Sequence, residues 1–197
     1  MVARNGVGDG RPLGTFHSAV ADGTPYWLPV QSPSMTRIAI VSDTHIPSRA
    51  AEIPDWVRER IANADHVVHA GDFDSAPAYE SMADLSADLT AVKGNMDPVS
   101  LGLSNVATLS VEGVDFVVTH GSGPIHGYEE RVAATVADEN PDAIGISGHT
   151  HQVMDEVVDG IRLLNPGSAT GASPAKTVSI MTADVEDGEI DVTVHEA

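Results

Sequence analysis

Five short β-branched runs, each ending in glycine or a polar cluster, recur along the chain: "RIAIVS" (37–42), "HVVHAG" (66–71), "LTAVKG" (89–94), "DFVVTHG" (115–121) and "AIGISG" (143–148). Such runs read as strands, and their glycine or polar ends as the points where the chain leaves a sheet. Helical patterns lie between them. Ile53, Trp56, Val57 and Ile61 recur at i, i+3, i+4 and i+8, and Tyr128, Val132 and Val136 at i, i+4 and i+8. Pro54 fits the first turn of the former helix. Strands alternating with helices predict an α/β fold with helices outside the sheet. The end of the chain differs: "VMDEVVDGIRLLN" and "TVSIMTADVEDGEIDVTV" read as hairpins turning at Asp159-Gly160 and Asp187-Gly188.

Residues 1–34 are rich in Gly, Pro and Ser and keep neither period; at Met35 a start-like methionine leads straight into the first strand. The expected division is an extension over 1–34, either a disordered tail or the product of a start assigned too far upstream, followed by a single domain over 35–197. A chain of 197 residues with 42% hydrophobic content can bury one substantial core.

Polar residues cluster where the runs end: Asp43 and His45 in "SDTH", Asp72 in "GDFD", Asn95 in "GNMD", His120 in "THG", and His149 and His151 in "GHTH". Any one of them alone is a turn or capping residue. Together they fall at the C-terminal ends of predicted strands, where open α/β sheets place their ligands. They recur at intervals of 23 to 29 residues, close to one strand-helix-strand unit, so they are expected to converge on one rim.

The chain has no cysteine, so a metal here must be held by His, Asp, Glu or Asn. Two carboxylates, four imidazoles and one amide suit Mn, Fe, Co, Ni or Zn. Seven side chains exceed the needs of one ion, and a pair of ions sharing a carboxylate is the arrangement used for in-line displacement at phosphorus. The formal net charge of −19 argues against binding to nucleic acid polymers or anionic membranes. Such acidity fits an ordinary acidic protein or, as the favoured reading, a surface adapted to molar salt. No run approaches a membrane span and no signal peptide precedes the domain, so a cytoplasmic location is expected.

The ordered blocks "DTH", "GDFD", "GNMD", "THG" and "GHTH" resemble the calcineurin-like metallophosphoesterase superfamily, in particular the small phosphodiesterase branch that also contains the retromer scaffold subunit. The likeness covers about residues 37–184. It implies an αββα sandwich of two mixed sheets flanked by helices, and two divalent metal ions, manganese foremost. Asp43, His45, Asp72 and His151 would hold the first ion; Asp72, Asn95, His120 and His149 the second, with Asp72 as the bridge. Asp72, Asn95, Asp97 and His120 are thereby the candidate catalytic residues. The implied activity is hydrolysis of a small phosphate ester, foremost a phosphodiester, by attack of a metal-bridging hydroxide. The alternatives are a phosphomonoesterase or nucleotide pyrophosphatase, and a metal-binding interaction scaffold like the retromer subunit. A homo-oligomer is compatible with all of them.

One departure from the wider superfamily stands at Met96, where many relatives carry a histidine able to protonate the leaving oxygen; a thioether cannot. Good leaving groups, or a water or His126 as donor, are expected in its place. Asp97 is a candidate partner of His45 or of the Asn95 loop, or a turn carboxylate before Pro98. His66 and His69 read as packed or surface residues, and His17 and His195 carry no argument. "NPGS" (165–168) reads as a turn whose N–H groups could face the site, and Ser122 to Glu130 as a substrate-side loop, mobile or tightly turned through Gly121, Gly123 and Gly127.

Overall fold

The computed structural model describes residues 35–197 and the backbone of two short antiparallel strands, β1 (Ala19–Ala21) and β2 (Thr24–Tyr26). The expectation of a tail or misplaced start over 1–34 otherwise lies outside the described residues. The unit Met35–Ala197 runs β3 (Thr36–Val41), α1 (Asp55–Ala62), β4 (His66–His69), α2 (Ala76–Leu85), β5 (Leu89–Ala91), β6 (Val106–Val111), β7 (Val114–Thr119), α3 (Tyr128–Glu139), β8 (Ile144–Ile146), β9 (Val153–Val158), β10 (Ile161–Pro166), β11 (Ser179–Glu186) and β12 (Glu189–Glu196).

Two five-stranded mixed sheets result, in the orders β12-β11-β3-β4-β5 and β6-β7-β8-β10-β9. Strands β3, β4 and β5 are parallel in the first, and β7, β8 and β10 in the second. The period of two in each strand sorts side chains between layers. In β3, Ile38 and Ile40 face the other sheet with Phe116, Val118, Ile146 and Leu164, while Ala39 and Val41 face α1 and α2. On the outside of the second sheet, Val117 and Leu163 pack under Tyr128, Val132 and Val136 of α3. The layers are therefore helix, sheet, sheet, helix, the sandwich the resemblance implied. Each fully buried aliphatic side chain adds about 1.5–3 kcal/mol. Among the described residues no helix is long and apolar enough to cross a membrane.

All five β-like runs are strands, and both hairpin turns fall at the expected Asp-Gly pairs. The intervals between polar blocks need one correction. Three of them do contain a strand-helix-strand unit, but from Asn95 to His120 the chain changes sheets, through a short 3-10 turn (Val99–Leu101) and the β6–β7 hairpin. That hairpin turns at Glu112-Gly113, both left-handed with φ of 46° and 84°. Glutamate is an unusual residue in this conformation, which hid the turn. Helix α2 was also hidden, because only Ala78 and Met82 of it are buried and they make too thin a stripe to show a period. Pro54 sits just before α1, one position ahead of its first turn.

Candidate functional site

The parallel strands of both sheets deliver the seven candidate side chains to one place: Asp43 and His45 follow β3, Asp72 follows β4, Asn95 follows β5, His120 follows β7, and His149 and His151 follow β8. Five of the seven have left-handed backbones, Asp43 (φ 52°), His45 (48°), Asp72 (64°), His149 (71°) and His151 (56°). Outside glycine this region is sparsely populated, and its concentration here is backbone strain held at a site. Crossing amides hold the turns, Asp43 N–H to Gly71 O at 3.0 Å and His45 N–H to Asp72 O at 3.0 Å.

The side chains form one continuous cluster. Asp43 Oδ1 lies 3.2 Å from His151 Nε2 and 3.8 Å from His45 Nε2. Asp72 Oδ2 lies 3.5 Å from His45 Nε2 and 3.3 Å from His120 Nε2, so a single oxygen faces both halves. The other oxygen, Oδ1, accepts the Met96 N–H at 2.8 Å. Asn95 Oδ1 lies 3.1 Å from His120 Nε2 and 2.8 Å from His149 Nδ1. Two overlapping triads, Asp43/His45/His151 and Asp43/Asp72/His120, each bring their ligand-type atoms within 4.8 Å of one another. Gly94 makes the approach possible, because a Cβ there would stand 2.0 Å from Asp72 Oδ1.

The outward nitrogen of every imidazole meets an oxygen acceptor. His120 Nδ1 meets Ala70 O at 2.7 Å, His151 Nδ1 meets Ala172 O at 2.7 Å, His149 Nε2 meets Gly123 O at 2.7 Å, and His45 Nδ1 meets Asp74 Oδ1 at 2.8 Å. A carbonyl or carboxylate oxygen only accepts, so these nitrogens carry protons, and a ring in its metal-binding neutral form presents its lone pair inward. Lone pairs and carboxylate oxygens packed together repel unless cations lie between them, and the donor set therefore fits divalent metals. Asp43, His45, Asp72 and His120 are at most 2% exposed, whereas Asn95 and Met96 are open to solvent, so the cluster is reached from the Asn95 side.

The local field favours positive charge. Burial pushes the His120 and His151 rings down, but the Asp72 and Asp43 carboxylates outweigh it and hold both above the usual imidazole value. Burial likewise raises Asp72, yet the His120 ring, the Met96 N–H and His45 together bring it down to about 2.

Three supporting residues had no advance signal. Asp74, also left-handed, orients His45 and accepts from Ser48 Oγ. Asn165 Nδ2 and the buried Tyr128 hydroxyl both donate to Gly148 O, at 2.8 and 2.6 Å, pinning the "GHTH" turn. Of the partners open to Asp97, the structure gives the Asn95 loop and not His45. Its carboxylate accepts from Gly94 N–H (2.8 Å) and from the N–H groups of Asp72, Phe73 and Asp74 (2.9, 2.7 and 3.0 Å). In "NPGS" the N–H groups of Gly167, Ser168 and Ala169 are taken by Asn165 Oδ1, Ser179 Oγ and Ser42 O, so the segment is a structural turn. His69 is buried, stacked on Phe73, and burial pushes its ring down to about 4; His66 pairs with Thr90 and Asp88. His195 meets Thr182 on β11, His126 is exposed, and His17 lies outside the described residues.

A sequence profile of the calcineurin-like phosphoesterase superfamily domain matches residues 36–188. A probable metallophosphoesterase of Methanocaldococcus jannaschii is 34% identical, over 91% of this chain and 90% of its own. A phosphodiesterase of the same archaeon is 27% identical over 68% of this chain and 85% of its own. Among solved structures, Vps29 of Entamoeba histolytica complexed with zinc superposes with a TM-score of 0.61 at 25% identity, covering 81% of this chain and 98% of that one.

Proposed function

The chain belongs to the calcineurin-like phosphoesterase superfamily, and we propose that within it this protein is a two-metal phosphodiesterase. The observation that carries the reading is the set of inward ring nitrogens of His45, His120, His149 and His151 around Asp43, Asp72 and Asn95, each ring's other nitrogen being held by an oxygen acceptor. Asp43, His45, Asp72 and His151 would hold one ion, and Asp72, Asn95, His120 and His149 the other. Bound there, divalent cations supply an acidified water as nucleophile and neutralise charge on the phosphoryl oxygens. Manganese is the ion we favour; the related Vps29 complexed with zinc supports a divalent ion as cofactor.

The chain's own residues do the rest. Asp74 and the carbonyls of Ala70, Ala172 and Gly123 fix the tautomer and angle of each imidazole, and Met96 N–H fixes Asp72 so that Oδ2 faces both halves. The ester would approach from the Asn95 and His149 side, where the cluster meets solvent. Residue 96, beside that entrance, offers a thioether and no proton, so the departing oxygen relies on its own acidity, on water or on His126. That favours substrates whose alcohol is acidic. The related phosphodiesterase supports diesters as the substrate class.

The test is hydrolysis of bis(p-nitrophenyl) phosphate by protein stripped of metal and resupplied with Mn, Ni, Co, Zn or Mg, beside Asp72→Ala. Metal-restored turnover that the variant lacks is the expected result. Two bound metals without turnover would turn the reading to an interaction scaffold.

A further inference from the structure

A cavity shares one residue, His120, with the cluster. Its volume is about 350 Å³, and Lys93, Asn105, Thr119, Ser122, Arg131 and Thr135 line it together with His120. Its chemistry is unlike that of the rest of the chain. The protein has 29 acidic residues against 10 Lys and Arg, yet this wall holds two of those cations and no carboxylate. Four other cavities of similar size each include at least one Asp or Glu.

Neither cation is neutralised. Among the described residues Lys93 has no ion-pair partner, and Arg131 donates only to the carbonyls of Gly121, Pro124 and Gly127 at 3.0–3.1 Å. Arg131 Nε is the one buried side-chain donor there without an acceptor. Two cations without a carboxylate partner in a concave wall, beside the hydroxyls of Thr119 and Ser122 and the Asn105 amide, make a donor-rich pocket for a tetrahedral dianion. Lys93 lies two residues before Asn95, Gly121 and Ser122 directly follow His120, and His120 itself belongs to both the cavity wall and the cluster.

We propose that this cavity is a subsite for a second phosphate, and that the preferred substrates are phosphodiesters carrying an additional phosphate group. This rests on the phosphodiesterase reading above. It makes Lys93 a determinant of specificity, and gives Arg131 two tasks, holding the 121–127 turn and supplying charge to the pocket.

Two esters that differ by one phosphate test it: the p-nitrophenyl ester of thymidine 5′-phosphate, with and without a 3′-phosphate. In the metal-loaded protein the 3′-phosphorylated ester should show a KM about tenfold lower, the size of one charge-assisted hydrogen bond. In Lys93→Met that ratio should fall to near one. In Arg60→Gln, which removes a charge from α1, the ratio should persist. Independently of turnover, thymidine 3′,5′-bisphosphate titrated calorimetrically into metal-stripped protein should bind the wild type about tenfold more tightly than Lys93→Met. Equal KM values for the two esters in the wild type, or a bisphosphate affinity unchanged by Lys93→Met, would overturn the subsite while leaving the phosphodiesterase standing. Turnover of neither ester beside Lys93-dependent bisphosphate binding would instead overturn the phosphodiesterase and uphold the anion site.

Discussion

His45 Nε2 and His151 Nε2 face one another at 3.2 Å, their rings stacked 5.0 Å apart, although each ring has its proton committed to an oxygen on the opposite side. With both rings neutral the two inward lone pairs repel at that distance, and a bound cation replaces that repulsion, or the extra proton that relieves it, with coordination. Metal should therefore stabilise the fold as well as enable chemistry. At a hundredfold excess over Kd the gain is about 2.7 kcal/mol, which for a domain of this size is about 5–10 °C in Tm. Thermal unfolding of chelator-treated protein, with and without added Mn or Zn, measures it; an unchanged Tm would remove the basis for placing ions here.

Asp74 reaches the centre only through His45 Nδ1, at 2.8 Å, and Ser48 holds its other oxygen. Asp74→Ala leaves the imidazole free to rotate and to change tautomer. Loss of such a partner typically weakens a metal site about 10- to 100-fold, and Asp74→Asn, whose amide oxygen still accepts, should lose less. Competition titrations against a chromophoric chelator would read both. Equal affinity in the alanine variant and wild type would mean that packing alone orients His45.

The sequence displayed the parts of this site whose signal is local. Asp43, His45, Asp72, Asn95, His120, His149 and His151 stand in short blocks after β-branched runs, and the structure gathers their side chains into one cluster. Asp74 was invisible because, in "GDFD", nothing distinguishes the carboxylate that faces the centre from the one that supports it. Asn165 and Tyr128 act on Gly148 O from 17 and 20 residues away, a distance no local pattern spans. The fold shows the same limit. Strands buried on both faces announce themselves, whereas β6 has a half-exposed face and a Glu-Gly turn, and the passage between the two sheets is a long-range decision.

Asp97 gathers four backbone N–H groups, those of Asp72, Phe73, Asp74 and Gly94, on one buried carboxylate. Truncation strands several of these donors where water enters poorly, and each buried unsatisfied donor costs about 1–3 kcal/mol. Asp97→Ala should lower the unfolding free energy by about 3 kcal/mol or more, and Asp97→Asn, with one acceptor oxygen in place of two, by an intermediate amount. Denaturant unfolding of metal-free protein isolates this from any effect through the ions. A loss below about 1 kcal/mol would assign Asp97 a role at the centre in place of one in the backbone.

Met96 donates its N–H to Asp72 Oδ1 at 2.8 Å while the residue is 44% exposed, so residue 96 stands at the edge of the cluster with room around it. Without a proton donor there, the rate should depend steeply on the leaving alcohol's own acidity, with p-nitrophenyl diesters turning over far faster than alkyl diesters. Met96→His places a titratable donor at that position. General acid catalysis is worth about 10²–10⁴ when well aligned, and an unoptimised donor should recover a fraction of that, about tenfold, on alkyl diesters and almost none on aryl ones. The informative quantity is the aryl-to-alkyl ratio of kcat/KM, which cancels changes in metal loading common to both substrates. A wild-type ratio near one would mean that another group protonates the leaving oxygen. A ratio that Met96→His leaves unchanged would place the departing alcohol away from residue 96.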